Sequence, residues 1–373
     1  MYWNRDVELS YLRPDALTVW QEEEVVKRLS HYKAVFEERA PAFYRVAKRT
    51  PAEFRQDADV EELLDIHRNY AKDFPKIYRE FTVDNLGNKI PGVSYLDLKI
   101  QIAKKMLEKC FFCEWRCSVN RARGEKGVCG LDSRVRVATA FLHMGEEAPL
   151  VPSGTIFFTG CSFKCVYCQN WDISTRVENG AEVTPQELAD IAVKLYLRGA
   201  KNINYVGGNP DQQLHAILES LRYMDVNIPL LWNTNMYMST EALELLLDIV
   251  DIWLPDFKYG NDACARRLSG VQRYFEVVSR NHKTVCEAGR DIIIRHLVLP
   301  GHVECCTKPV LEWISKNCSR ALVNIMDQYR PEHLVARFPE RWREIARMPK
   351  PSEIREAYNY ADKLGLAWRE VSL

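Results

Sequence analysis

Three cysteines near the middle of the chain have a spacing that suits iron–sulfur chemistry. Cys161, Cys165 and Cys168 form a C-x3-C-x2-C pattern directly after an apolar run at residues 155–159. Three thiolates can each bind one iron of a [4Fe-4S] cube, which leaves the fourth iron open to a small molecule. A structural zinc loop, or three thiols that merely lie close, is the alternative. Zinc usually takes four ligands, and no fourth Cys or His lies near this loop, so the pattern favours a cluster.

A second cysteine group precedes the first and has a complete set of ligands. Its pattern is C-x2-C-x3-C-x11-C, formed by Cys110, Cys113, Cys117 and Cys129. Four thiolates in a short glycine-containing loop predict a closed metal site with a structural or electron-relaying role. Zinc and an auxiliary iron–sulfur cluster are both chemically reasonable. The spacing departs from the two-knuckle zinc pattern and therefore slightly favours iron–sulfur.

The other five cysteines show no shared close spacing and are interpreted as ordinary buried or partly exposed thiols. They are Cys264, Cys286, Cys305, Cys306 and Cys318. Cys305 and Cys306 are adjacent, and we expect neighbours to be too cramped to bind one tetrahedral ion without strain. Near the first group, the stretch from His143 to Glu147 contains two adjacent carboxylates. They could be polar ligands or proton carriers, or they could cap a turn and stay solvated.

Composition limits the classes of function. The 373 residues are 47% apolar, and 51 basic residues balance 51 acidic ones. No basic stripe suggests nucleic-acid binding, and no apolar run reaches the roughly 18 residues of a membrane span. The N-terminus does not resemble a signal peptide. Twelve cysteines in such a chain predict metal or redox use in a reducing compartment rather than disulfides, so we expect a cytoplasmic protein.

The elements that position these residues fall into three predicted regions. Residues 1–95 form a helical N-terminal extension, with helices over 15–38 and 60–70, and residues 96–150 form the four-cysteine metal-binding segment. In residues 151–373, strand patterns at 155–159, 202–206, 228–232, 250–254, 291–298 and 321–325 alternate with helices, and 367–371 is a further candidate strand. The prediction is an α/β fold: an open, partial (β/α)6 barrel like part of a TIM barrel. Its site would lie at the carboxyl ends of the strands.

Motifs at these strand ends occur in an order that resembles a known family. They cover residues 153–161, 207–210, 254–259, 295–301 and 326–331. Together they resemble the radical S-adenosylmethionine (SAM) proteins related to pyruvate formate-lyase activating enzyme. The closest resemblance is to an uncharacterised branch with a four-cysteine segment before the cluster loop. It covers about residues 96–365.

The resemblance implies roles for individual residues. Cys161, Cys165 and Cys168 would ligate a [4Fe-4S] cluster whose open iron is chelated by SAM, and Tyr167 would pack near the adenine. Gly207 and Gly208 would approach the methionyl amino group. Further SAM contacts would come from residues at the strand ends, namely Asn233, Asn235, Asp256, Lys258, Arg295 and His296. Each of these could instead have a structural role.

The resemblance also implies a reaction. In the family, the reduced cluster cleaves SAM to a 5′-deoxyadenosyl radical that abstracts hydrogen. The electron would come from an external donor such as ferredoxin or flavodoxin. The substrate would be a protein or peptide, as in glycyl-radical activation, or alternatively a small metabolite. A non-catalytic iron–sulfur electron carrier or zinc-binding module is the third hypothesis. The sequence assigns no residue to catalysis beyond the cofactor site, and we expect neither a nucleic-acid nor a membrane partner.

Overall fold

The computed structural model describes residues 11–87 and 89–372. Its centre is an eight-stranded sheet in the order β3-β1-β2-β4-β5-β6-β7-β8. The strands are β1 (Val135–His143), β2 (Ser153–Phe158), β3 (Ala181–Val183), β4 (Asn202–Gly207), β5 (Leu230–Thr234), β6 (Ile252–Pro255), β7 (Asp291–Leu297) and β8 (Leu322–Met326). From β2 to β8 the neighbouring strands are parallel, whereas β1 and β3 extend one edge in antiparallel pairing. The described strands form an open sheet, and the predicted partial barrel is confirmed.

Helices precede, connect and follow the parallel strands. Before the sheet lie α1 (Asp15–Thr18), α2 (Glu23–Arg28), α3 (Ser30–Phe36), α4 (Phe43–Arg49), α5 (Val60–Arg79) and α6 (Tyr95–Glu108). Between the strands lie α7 (Trp171–Ser174), α8 (Pro185–Leu197), α9 (Leu214–Ser220), α10 (Thr240–Leu247), α11 (Asp262–Ser269), α12 (Tyr274–Glu287) and α13 (Lys308–Asn317). After β8 follow α14 (His333–Arg337), α15 (Pro351–Lys363) and α16 (Arg369–Ser372). None of the helices in the described ranges is long and apolar enough to cross a bilayer.

The start of α8 illustrates how local sequence determines an element. The Thr184 side chain accepts a hydrogen bond from the Glu187 N–H, and the Glu187 carboxylate accepts one from the Thr184 N–H at 2.7 Å. Pro185 occupies the first helical turn, where its missing N–H costs nothing. The predicted N-cap at Thr184 is therefore confirmed.

The N-terminal helices close the lower end of the partial barrel. Apolar side chains of the inner sheet surface, such as Leu231, Ile252 and Ile293, form one buried cluster with Val25 and Tyr32. Burial of such side chains contributes about 1.5–3 kcal/mol each, which anchors the extension to the sheet. Residues 15–36 thus cover the end of the barrel that six strands alone would leave open.

The single helix predicted over residues 15–38 is wrong, because the chain breaks at Glu22 and again at Leu29. At the second break, the Tyr32 N–H donates to the Asp291 carboxylate of β7 at 2.8 Å instead of to the preceding helical turn. Asp291 therefore acts as an N-cap for α3 from a distant part of the chain. No local pattern reveals such a partner.

Two further expectations are overturned. The candidate strand at 367–371 is only a one-residue bridge between Ala367 and Leu322, after which the chain turns into α16. That turn allows Val371 to pack inside the barrel. The expectation that the cysteines avoid disulfides is wrong for Cys286 and Cys318, which are bonded with their Cα atoms 5.6 Å apart.

Candidate functional site

The loop after β2 carries Cys161, Cys165 and Cys168, and it is held by the end of α11. The Lys164 N–H donates to the Ser269 carbonyl and the Val166 N–H donates to the Leu268 carbonyl, each at 2.9 Å. The loop leaves β2 through Gly160 at φ +80°, where a Cβ atom would lie 2.7 Å from Leu131. Only glycine suits that conformation and space. The three thiols therefore sit on a fixed backbone.

Hydrogen-bond donors surround the sulfurs of this loop. Cys161 Sγ accepts from the Phe163 N–H at 3.3 Å and lies 3.7 Å from Asn235 Nδ2. Cys168 Sγ lies 3.5 Å from the Ser174 hydroxyl. Burial raises the pKa of the Cys161 thiol, so its thiolate needs a compensating cation. Donors aimed at the sulfurs stabilise cluster thiolates, and this environment fits a bound iron–sulfur cube.

Cys165 starts a chain of hydroxyl contacts that ends at Tyr167. Its sulfur lies 2.9 Å from Ser269 Oγ, which lies 2.5 Å from the Tyr259 hydroxyl. That hydroxyl lies 2.7 Å from the Tyr167 hydroxyl. Burial raises the pKa of the Cys165 thiol, while the nearby Lys258 opposes the effect. Ser269 and Tyr259, which sequence reasoning did not select, thus support the predicted ligand and the predicted aromatic.

The carboxyl ends of the parallel strands enclose a cavity of about 520 Å³ beneath this loop. The structure brings almost all predicted cofactor residues to its wall together with the three cysteines. These are Tyr167, Gly207, Gly208, Asn233, Asn235, Asp256, Lys258 and Arg295. The side chains come from separate strands, so only the parallel sheet assembles them.

His296 is the exception, because it points away from the cavity. Successive side chains of a strand alternate between faces, so Arg295 and His296 cannot both face inward. His296 Nδ1 lies 2.8 Å from the Phe257 carbonyl, and Nε2 lies 2.9 Å from the Thr307 hydroxyl. Burial lowers the pKa of His296 to about 4. It is a neutral, buried side chain that ties β7 to the turn before α13.

The glycine pair after β4 is required by the approach of two backbones. A Cβ atom on Gly207, at φ +121°, would lie 2.3 Å from the backbone of Phe158. One on Gly208 would lie 2.1 Å from the Gly160 carbonyl oxygen. Both glycines thus let β4 pack directly beneath the start of the cluster loop. This packing requirement exists whether or not they also contact SAM.

The cavity floor contains a buried ion cluster. The Arg295 guanidinium binds Glu146 and, with both oxygens at 2.6 Å, Glu147. Asn204 and Asn324 donate to the same carboxylates at 2.9 and 2.6 Å. Burial opposes ionisation of Glu147, but Arg295 holds its pKa below the usual value. The expectation that these two carboxylates could cap a turn and stay solvated is therefore wrong.

A second ion pair stands nearer the cluster loop. Lys258 Nζ lies 2.6 Å from Asp256 Oδ2. Burial alone would lower the pKa of Lys258, yet Asp256 and Cys165 raise it, so the amine stays charged. In total, five carboxylates and three cationic side chains line the cavity. The cavity therefore favours a ligand with net positive charge.

The four-cysteine group converges in the loop after α6. A Cβ atom on Gly127 would lie 3.0 Å from Cys117 Sγ and 3.6 Å from Cys129 Sγ. Burial, and then the other three cysteines of the group, raise the pKa of Cys113. Within residues 11–87 and 89–372, however, no three sulfurs of this group lie within 4.8 Å of one another. A single zinc ion would draw them closer than that.

A different group is more compact. The sulfurs of Cys264, Cys305 and Cys306 and one nitrogen of His302 all lie within 4.8 Å of one another. The structure thus brings together three cysteines and a histidine that showed no shared spacing in the sequence. The H-x2-C-C pattern of residues 302–306 was the available signal.

Comparison with known proteins identifies the class. The family model of the radical SAM superfamily matches residues 155–314. The uncharacterised protein MJ0674 of Methanocaldococcus jannaschii is 42% identical over 345 residues, which cover 91% of this chain and 98% of that protein. The chain belongs to the radical SAM superfamily. Membership implies a [4Fe-4S] cluster and SAM as cofactors, and SAM-dependent radical chemistry.

Two solved structures are also similar. The first is Streptococcus suis SuiB bound to precursor peptide SuiA, at 15% identity and a TM-score of 0.41, covering 56% of this chain and 46% of SuiB. The second is a domain of pyruvate-formate lyase-activating enzyme from Bacteroides vulgatus, at 14% identity and a TM-score of 0.36. It covers 45% of this chain and 98% of that domain. The alignment with SuiB spans less than half of the SuiB chain.

Proposed function

We propose that this chain cleaves SAM reductively at a [4Fe-4S] cluster held by Cys161, Cys165 and Cys168. The 5′-deoxyadenosyl radical formed in this way then abstracts hydrogen from a protein or peptide. The observation that carries the proposal is the position of the three thiols. They form one wall of the polar cavity at the carboxyl ends of the strands.

The cavity suits SAM in charge and in size. SAM carries two positive groups and one carboxylate, and the excess of carboxylates in the wall complements its net charge. A volume of about 520 Å³ lies within the range that encloses one drug-sized ligand. We infer that Lys258 binds the SAM carboxylate and that Asn233 and Asp256 bind the ribose. The buried floor of Arg295, Glu146 and Glu147 keeps the strand ends in place and excludes water from beneath the ligand.

The size of the cavity also bears on the substrate. SAM would occupy most of it, so a hydrogen donor has to reach the radical from the mouth. A segment of a peptide or protein can do so, as the sequence resemblance to activating enzymes also suggests. A small metabolite that binds at the mouth is the competing candidate.

We further propose that Cys110, Cys113, Cys117 and Cys129 bind an auxiliary iron–sulfur cluster. The support is that no three sulfurs of this group, within residues 11–87 and 89–372, lie within 4.8 Å of one another, since a cube of four irons spreads its thiolates further than one zinc ion does. The segment also contacts the SAM-cluster loop, because Trp115 Nε1 donates to the Ser162 carbonyl at 2.9 Å. Electrons from ferredoxin or flavodoxin in the cytoplasm would enter through this segment.

The test is anaerobic reconstitution with iron and sulfide, followed by dithionite and SAM and by measurement of 5′-deoxyadenosine. We expect the parent to form it and Cys165→Ala to form none. Cys286→Ala, a matched variant outside both clusters, should keep the activity. Absence of 5′-deoxyadenosine from the parent, or equal amounts from Cys165→Ala, would refute the proposal. If only small metabolites, and no peptide, increase the yield, the competing substrate class is favoured.

The auxiliary cluster has a separate readout. The reconstituted parent should bind about eight irons per chain if both sites hold [4Fe-4S] cubes, and Cys113→Ala about four. An unchanged iron content in Cys113→Ala would contradict the second cluster without affecting the first.

A further inference from the structure

A compact group of three cysteines and one histidine lies outside the cavity. His302 Nδ1 faces all three sulfurs, at 3.3 Å from Cys305, 3.6 Å from Cys264 and 3.9 Å from Cys306. Cys305 Sγ lies 3.9 Å from Cys264 Sγ and 3.9 Å from Cys306 Sγ. The four atoms thus mark the corners of a small tetrahedron.

These separations agree with the coordination of one metal ion. Zinc binds thiolate sulfur at about 2.3 Å and imidazole nitrogen at about 2.0 Å. A regular tetrahedron with those bond lengths separates two sulfurs by about 3.8 Å and a sulfur from the nitrogen by about 3.5 Å. We propose that Cys264, His302, Cys305 and Cys306 bind one structural zinc ion. The proposal goes beyond the proposed function and does not depend on SAM cleavage.

The backbone is shaped to bring the four ligands together. His302 precedes a turn of π-helix at Val303–Thr307, a rare conformation that frequently occurs at functional sites. That wide turn lets the adjacent residues Cys305 and Cys306 direct both sulfurs to one point. A Cβ atom on Gly260 would lie 2.7 Å from the Cys305 carbonyl oxygen. Glycine at that position therefore allows the segment that carries Cys264 to approach the turn.

Three hydrogen bonds fix the arrangement from either side. The Asn261 side chain donates to the Cys305 carbonyl at 2.8 Å, and its oxygen accepts from the Cys264 N–H at 2.9 Å. His296, which faces away from the cavity, lies 2.9 Å from the Thr307 hydroxyl at the end of the turn. These bonds fix the backbone that carries Cys264 and Cys305.

The ligand set favours zinc and a structural role. Three thiolates and one imidazole complete a tetrahedron and leave no open position, which distinguishes structural from catalytic zinc. The ion would join the start of α11 to the turn before α13. The other end of α11 holds the loop of Cys165 through Ser269. A disulfide between Cys264 and Cys305 is the competing fate of these thiols.

The test uses the full chain, produced with added zinc chloride and purified anaerobically without chelators. Metal analysis should find about one zinc per chain, and zinc-edge X-ray absorption should show about three sulfurs near 2.3 Å and one nitrogen near 2.0 Å. Cys306→Ser should lower the zinc content at least fivefold. Cys286→Ser, a matched change at a cysteine outside the group, should retain it.

Several results would overturn the proposal. The proposal is refuted if the parent contains less than about one zinc per five chains. It is also refuted if the zinc has a shell of four sulfurs, which would place the ion at the other four-cysteine group. Unchanged zinc in Cys306→Ser refutes it, as does a Cys264–Cys305 disulfide detected by mass spectrometry in the anaerobic parent. If Cys306→Ser fails to fold, the X-ray absorption of the parent still decides between these outcomes.

Discussion

Replacing Arg295 with glutamine would leave two buried carboxylates in the cavity floor without their shared cation. The side chains of Glu146 and Glu147 are 6% and 1% exposed, and that of Arg295 is 14% exposed. Little water reaches these carboxylates to replace the guanidinium. Removing one partner of such a buried ion pair costs about 3–5 kcal/mol of unfolding free energy. We expect Arg295→Gln to lose that amount near pH 7, which lowers the urea midpoint by on the order of 1 M.

The loss should depend on pH in a defined direction. In the parent, Arg295 depresses the pKa of Glu147, so its contribution is present above the usual glutamate pKa and is lost as pH falls. In Arg295→Gln, burial, the largest influence on Glu147, outweighs the remaining hydrogen bond from Asn324 and raises its pKa, so the variant gains stability as pH falls. The difference between parent and variant should therefore shrink between pH 7 and pH 5.

The assay is anaerobic urea unfolding followed by circular dichroism. The double variant Arg295→Gln/Glu147→Gln should lose less than the sum of the single variants by at least about 1 kcal/mol, because the two side chains share one interaction. Arg273→Gln, whose partner Glu276 is exposed, should leave the midpoint unchanged and serves as the control. A midpoint for Arg295→Gln equal to the parent's, or a deficit that grows toward pH 5, would refute the reasoning.

Two other changes test the packing of the site and of the N-terminal extension. Gly208→Ala should cost about 1–3 kcal/mol and at least halve iron incorporation, because its Cβ meets the Gly160 carbonyl at 2.1 Å. Gly92→Ala, with nothing within 4 Å, should match the parent in iron analysis, and equal iron in both variants would contradict the packing argument. Burial raises the pKa of Asp291 to about 6, so its contribution to stability is lost as pH rises through that value. Asp291→Asn, which still accepts the Tyr32 N–H, should gain up to about 3 kcal/mol over the parent at pH 8 and little at pH 4 in urea unfolding. A gain that is larger at pH 4 would contradict this assignment.

The sequence by itself determined the cluster loop, the alternation of strands and helices and the open barrel. Those features depend on residues close together in the chain: the cysteine spacing around Cys165, the apolar runs of the strands and caps such as Thr184. The residues at the strand ends could also be selected, because parallel strands bring their carboxyl ends to one edge. Local periodicity could even separate Arg295 from His296, since alternate side chains of a strand face opposite ways.

Only the tertiary structure decided which distant groups meet. The break of the N-terminal helix depends on Asp291, far away in the chain, and the cavity floor depends on Arg295 meeting Glu146 and Glu147 across the barrel. The group of Cys264 with His302 likewise requires two loops to pack at Gly260. Such contacts arise where separate elements pack, and hydrogen bonds and ion pairs at those places override local propensity. Their partners leave no regular spacing in the sequence from which they could be read.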